Sequence, residues 1–116
     1  MNKQVTTLVL WFALGCPVFA ASTSDEIEHL LNFVANSGCT FERNGNQYDS
    51  VEARAHIRRK YDHIKDRVNS TEDFIRYAAS ESSMSGKKYH ATCNGQTITS
   101  GEWLSKELER YRQQSG

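Results

Sequence analysis

Apolar residues along this chain switch between two periods. Ile27, Leu30, Leu31 and Val34 recur at three- and four-residue steps, the spacing of one buried helix face. Thr23 with Glu26 three residues later fits a capping box at the start of this helix, and Gly38 suits the left-handed residue just past its end. From Cys39 to Arg43 the period shortens to two, as in a strand, and Asn44-Gly45 is the strongest short hairpin signal, a type I′ turn. A two-residue turn sets Arg43 against Asn46, Glu42 against Gln47 and Phe41 against Tyr48, an aromatic pair across the ladder. Cys39, Phe41 and Arg43 then share one side.

The helical period returns at Ala53, Ile57, Tyr61, Ile64 and Val68, behind a second capping box at Asp49 and Glu52, and predicts a helix to about Arg67. Glu52, His56, Arg59, Lys60 and His63 lie on the face beside that stripe. A turn over residues 69–73 leads into a third helix from about Glu72 to Ala79, with Phe74, Ile75, Tyr77 and Ala78 for packing. Residues 80–88 are serine-rich with Gly86 and read as a loop. Lys88–Cys93 reads as a strand, Asn94-Gly95 as a second type I′ turn, and Gln96–Ile98 as its partner strand. Thr99 with Glu102 caps a last helix whose apolar face is Trp103, Leu104, Leu108 and Tyr111, with fraying expected from Gln113 to Gly116. The order is helix, hairpin, two helices, hairpin, helix. It predicts an α+β fold of about four helices on a small antiparallel sheet made of the two hairpins.

The first 20 residues change the picture, because they read as an address. Lys3 precedes the apolar run from Leu8 to Leu14, which is too short to span a bilayer, and Val18-Phe19-Ala20 fits a signal peptidase site. Cleavage is expected after Ala20, with Ala21 as the alternative, leaving residues 21–116 as one small exported domain. The competing reading is a lipoprotein anchored at Cys16, since Ala13-Leu14-Gly15-Cys16 resembles a lipobox; an uncleaved N-terminal anchor is a third. Export would remove Cys16 and leave Cys39 and Cys93 of the three cysteines. An even pair in an oxidising compartment predicts a disulfide, against the alternative of two free buried thiols. It would join the strand at Cys39 to the strand at Cys93.

Charge excludes more than it suggests. The chain carries 14 Lys and Arg against 14 Asp and Glu, and loss of Lys3 lowers the basic count by one. Such a near-neutral domain has no electrostatic footprint for nucleic acid or an anionic membrane, and no membrane span remains in the mature chain.

Several short motifs, taken in order, carry a resemblance. These are the export-type N-terminus; Phe41-x-Arg43-Asn44-Gly45 with Tyr48; Glu52-Ala53-x-x-His56-x-Arg58-x-Lys60; Thr71-Glu72-Asp73-Phe74-Ile75; and Ser82-Ser83-x-Ser85-Gly86-x-x-Tyr89. Together they resemble the YfeK-like family of small exported bacterial proteins of unknown function, over essentially the whole mature chain. The resemblance implies a periplasmic or secreted domain and implies no reaction.

The residues themselves offer four kinds of chemistry. Ser80, Ser82, Ser83 and Ser85 with His56 or His90 would suit a small serine hydrolase, but no GxSxG elbow is present, and a polar connecting loop explains them better. His56 and His63 are seven apart on one helix, about 10 Å of rise, too far to hold one ion together; no metal or cofactor is expected. Ser85-Gly86-Lys87-Lys88-Tyr89 looks like the loop that some periplasmic lysozyme inhibitors insert into their target, although those proteins are β-rich. Capture of an anion is the leading chemistry. Arg43, Asn44, His56 and Arg59 with Ser83, Ser85 and Lys87 form the candidate binding surface, acting by charge-assisted hydrogen bonds. The competing role for Arg43 is to pair with Glu52 or another acid and pin the hairpin to the helix. The expected function is therefore a non-enzymatic module that binds an envelope protein or a small anionic ligand, with the hydrolase and the inhibitor as alternatives.

Overall fold

The computed structural model describes residues 21–115; the expected leader at 1–20, with Cys16, lies outside them. Helix α1 spans Thr23–Asn36, followed by strands β1 (Thr40–Arg43) and β2 (Asn46–Tyr48). Helix α2 covers Ser50–Ile64, and a 3-10 turn at Lys65–Arg67 tightens its end. Helix α3 covers Thr71–Ala78, strands β3 and β4 cover His90–Cys93 and Gln96–Thr99, and helix α4 covers Ser100–Ser115. This is the α+β arrangement that the periodicities predict.

The two hairpins do not stay separate. All neighbours are antiparallel in one four-stranded sheet of order β2-β1-β3-β4. The β1–β2 register is Phe41 to Tyr48, Glu42 to Gln47 and Arg43 to Asn46, as the two-residue turn requires. Asn44 and Gly45 both have positive φ, 51° and 82°, the signature of a type I′ turn, and Asn94 and Gly95 repeat it. Between the hairpins, Thr40 pairs with Thr92 and Glu42 with His90. Continued outward by one residue, that register sets Cys39 opposite Cys93, and a disulfide joins them with 4.7 Å between Cα atoms.

The sheet's inner face and one stripe of each helix share a single core. Ile27, Leu30, Leu31 and Val34 of α1 meet Phe74, Ile75 and Ala78 of α3 and Leu104 and Leu108 of α4. Phe41 and Ala91 supply the sheet side, and Ala53 and Ile57 the α2 side. Tyr61, Ile64 and Val68 of the expected stripe are only partly buried, at the core's edge. Trp103 fills the corner, 4.7 Å from the Phe33 ring centroid and 5.4 Å from that of Phe41. Each fully enclosed Leu or Phe contributes roughly 1.5–3 kcal/mol of transfer free energy.

Three element ends differ from expectation, two for tertiary reasons and one for a local one. The N-cap of α1 is Ser22, boxed with Asp25, one residue before the expected Thr23–Glu26 pair. Glu26 cannot cap because it is 7% exposed and spoken for: it accepts from Thr71 Oγ1 at 2.5 Å and from Arg112 Nε and Nη2 at 2.8 and 2.9 Å. Helix α4 runs to Ser115 through the stretch expected to fray. Its last turns are tied down by Arg112, which reaches Glu26 and also Glu72 at 2.6 Å, and by Arg110 Nη1 donating to Gln114. The α2 helix ends at Ile64 rather than near Arg67, because Lys65–Arg67 closes as a 3-10 turn, with Val68 N–H donating to the Lys65 carbonyl.

A second enclosed acid, Glu107 at 5% exposure, receives His29 Nε2 at 2.6 Å and the Arg110 guanidinium at 2.7 and 2.8 Å. Arg112 first, and Arg110 first, hold Glu26 and Glu107 respectively below the ordinary carboxylate value, against burial that acts the other way.

Three outcomes follow for stability. Replacing both Cys39 and Cys93 with Ala should lower the unfolding free energy by about 4 kcal/mol in the chain-entropy account of a loop this long, read from urea midpoints under oxidising conditions. Glu26 and Glu107 have lower pKa values folded than unfolded, so the unfolded chain binds more protons in acid. Stability should therefore hold above pH 4.5 and fall below it as pH descends through their folded values, as a pH series of melting temperatures will show. Arg112→Gln should cost roughly 1–3 kcal/mol at neutral pH by stranding Glu26, toward the lower end because Arg112 is itself partly exposed.

Candidate functional site

The hairpin β1–β2 leans over α2 and leaves a cleft of about 350 Å³ between them, closed at one end by Tyr89. Its floor is apolar: Phe41 from the sheet, Ala53 and Ile57 from α2, Ala78 from α3. Basic side chains surround it. Arg43 comes from the end of β1, while His56, Arg59, Lys60 and His63 come from one face of α2, spaced so that helical rotation stacks them along the opening.

Each cation is held differently. Arg43 lies beside Tyr89 and Tyr48, and these neighbours, Tyr89 first, raise its pKa above the ordinary arginine value. It pairs with no acid among the described residues, so Glu52 does not play the pinning role considered for it. Lys60 Nζ donates to the Glu81 carbonyl at 2.6 Å and to the Tyr89 hydroxyl at 3.3 Å, and sits 5.3 Å from that ring's centroid. The His56 ring packs edge-on to Tyr48, 4.6 Å between centroids. Its buried Nδ1 has no hydrogen-bond partner among the described residues. Burial first, then the charges of Arg43 and Arg59, lower the His56 pKa from 6.5, with Glu52 opposing. Arg59 is exposed at the rim.

The distribution of acids sharpens this. Among the described residues most carboxylates in ion pairs sit away from the cleft, Glu26 and Glu72 with Arg112, Glu107 with Arg110 and His29, Glu28 with Arg58, while Glu42 lines the cleft and faces His90 at 3.5 Å. No carboxylate lies within 4.0 Å of the charged nitrogens of Arg43, Arg59 or Lys60 among them. A near-neutral chain thus keeps a cleft lined by more basic side chains than acidic ones, with Glu42 the acid among them.

The serine loop meets the hairpin tip rather than the cleft. Asn44 Nδ2 donates to Ser82 Oγ at 3.3 Å, and Ser85 Oγ donates to Asn44 Oδ1 at 2.7 Å. Ser82 is the hub. Its Oγ also accepts the Met84 and Ser85 N–H groups, its N–H donates to the Lys87 carbonyl, and its carbonyl accepts from Gly86, whose φ is 74°. Ser83 and Lys87 are exposed on this loop and do not line the cleft. Among the described residues no serine Oγ hydrogen-bonds a histidine nitrogen: Ser80 Oγ donates to the Ile75 carbonyl, and His90 faces Glu42 at 3.5 Å. Tyr89 is 9% exposed, so the Ser85–Tyr89 stretch presents Met84, 95% exposed, beside it and not the tyrosine. No cluster of three or more His, Cys, Asp or Glu is placed to hold an ion among the described residues, and no helix there is long and apolar enough to cross a membrane.

The seven expected residues therefore divide into two groups. Arg43, His56 and Arg59 share the cleft, and Asn44 and Ser85 make the tie beside it with Ser83 and Lys87 farther along the loop. Tyr48, Lys60, His63 and Tyr89 belong to the cleft and were not in that set. Tyr89 was within reach of the sequence: if Cys39 and Cys93 face each other directly in an antiparallel pair, the same count places Arg43 opposite Tyr89.

Comparison with known proteins agrees with this architecture's sequence signature. The model of a family of unknown function, DUF5329, matches residues 21–112. The chain belongs to the DUF5329 family. A relative, the uncharacterized protein YfeK of Salmonella typhimurium strain LT2, is 34% identical over 91 residues, covering 75% of this chain and 76% of the relative. No solved structure matches. The DUF5329 match begins with α1 and ends within α4, so it contains every residue of the cleft.

His56 gives a direct check on this geometry. An NMR titration should place its pKa below 6.5, and Arg59→Gln should raise it. Because the unfolded histidine binds the proton more readily than the folded one, His56 should make stability rise with pH between its folded pKa and 6.5. A value above 6.5 in the native protein would contradict the described burial between two guanidinium groups.

Proposed function

We propose that this chain is an exported, non-enzymatic binding module of the bacterial cell envelope, and that its cleft takes an anionic group from a small ligand or an envelope partner. The observation that carries this reading is the gathering of Arg43, Arg59 and Lys60 around an apolar floor, with Glu42 the one acid in the lining and none of the three cations in an ion pair among the described residues. Unmatched charges at a water-poor wall attract an anion, and the planar guanidinium favours carboxylate or phosphate. The tie between Asn44 and Ser82 and Ser85 fixes the hairpin tip, which reduces the ordering cost of binding. Export is supported by the leader-like residues 1–20 and by a disulfide of the kind that persists in oxidising compartments. Polar recognition, rather than covalent chemistry, is supported by loop serines committed to structural hydrogen bonds.

Expression from the full-length sequence tests both halves. The protein should appear in the periplasmic fraction or medium with an intact mass lacking residues 1–20 and two hydrogens below the reduced form. Cytoplasmic retention would remove the localisation, and added lipid mass would shift it to an anchored form. In NMR titrations with acetate and inorganic phosphate, signals from Arg43, His56 and Arg59 should move together. Arg59→Ala should weaken binding about tenfold, the loss of one charge-assisted contact, while the melting temperature stays nearly constant. An unchanged affinity in that variant would move the site away from the cleft.

A further inference from the structure

We propose that the anion this cleft takes is a carboxylate carried on a compact apolar or aromatic body, an aryl or short acyl carboxylate. The inference rests on the anion-binding reading above and specifies its ligand. The cleft's volume, about 350 Å³, lies toward the small end of ligand sites, which span roughly 300–1,000 Å³. Phe41, Ala53, Ile57 and the Tyr48 ring line it, and the His56 ring buttresses Tyr48 edge-on. A hydrated inorganic anion held at the rim would leave that floor wet and draw nothing from it. A neutral apolar compound would cover the floor and leave the cations unmatched. A ligand with both parts satisfies both walls, and removing its body from water adds to affinity in proportion to the area covered.

The head group follows from which donors are free. Lys60 is engaged by the Glu81 carbonyl and the Tyr89 hydroxyl, and Arg43 lies beside Tyr89 and Tyr48. Their charges still act on the cleft, but both are half-buried against tyrosines where Arg59 is exposed. Arg59 has no partner among the described residues, so one guanidinium fork is open. A single fork matches the two oxygens of a carboxylate and leaves part of a phosphate unserved.

The test is a titration of the oxidised protein, expressed from the full-length sequence, with three sets of probes. The first is 3-phenylpropionate and hexanoate, the second 3-phenylpropan-1-ol and hexan-1-ol, the third acetate and inorganic phosphate. The amphiphilic carboxylates should bind at least about tenfold more tightly than either other set. Their ring or chain protons should show NOEs to Ile57 methyls, and Arg59→Gln should reduce them to the level of the alcohols. If acetate or phosphate binds as tightly as phenylpropionate, this ligand class is overturned while anion capture stands. If the alcohols match the carboxylates, the charge-matching argument is overturned with it. If no anion of any set binds, the ligand class and the anion-binding function fall together.

Discussion

The pairing of β1 with β3, closed by the bond between Cys39 and Cys93, is the constraint on which the rest of this molecule depends. Each hairpin alone is a local structure that is marginal in water. Joined edge to edge, they form one four-stranded sheet with a continuous inner face for the helices. The contact is long-range, so its loop-closure entropy is large, and a covalent bond removes much of that entropy from the unfolded chain. The same register brings Tyr89 across from Arg43. The staple is therefore also what assembles the inner end of the cleft.

Charge is the second organising element. Two acids, Glu26 and Glu107, are enclosed where α1, α3 and α4 converge, and each is satisfied several times over. A buried carboxylate is tolerated only when its partners replace its lost hydration. These pairs bind the C-terminal turns of α4 to α1 and α3.

The cleft joins rigid and open features. Lys60 staples α2 to the loop before β3, and Asn44 ties the hairpin tip to Ser82 and Ser85. Such cross-links hold Arg43 and Tyr48 in place without a ligand. At the exposed rim, Arg59 has no hydrogen-bond or ion-pair partner among the described residues. That is the arrangement of a preformed recognition site, with most of its geometry fixed and one charged arm available.

The element order, both type I′ turns, the β1–β2 register and the presence of a disulfide were all written in local signals: apolar periods, Asn-Gly pairs, capping residues and an even cysteine pair. Short-range sterics and hydrogen bonding set these, so few contacts beyond a turn or two are needed to read them. The sheet order, the shift of the α1 cap from Thr23 to Ser22, and the ordering of α4 to Ser115 were decided by tertiary contacts. Glu26 fits a capping box equally well until Thr71 and Arg112, distant in sequence, claim it. Arg43, His56 and Arg59 could be chosen from sequence because one hairpin and the helix after it carry them. Tyr89 could be reached only through the long-range register that the cysteine pair implies, and the lack of ion pairs at Arg43 and Arg59 could not be read at all, since a cleft is defined by what distant segments bring to it and what they withhold.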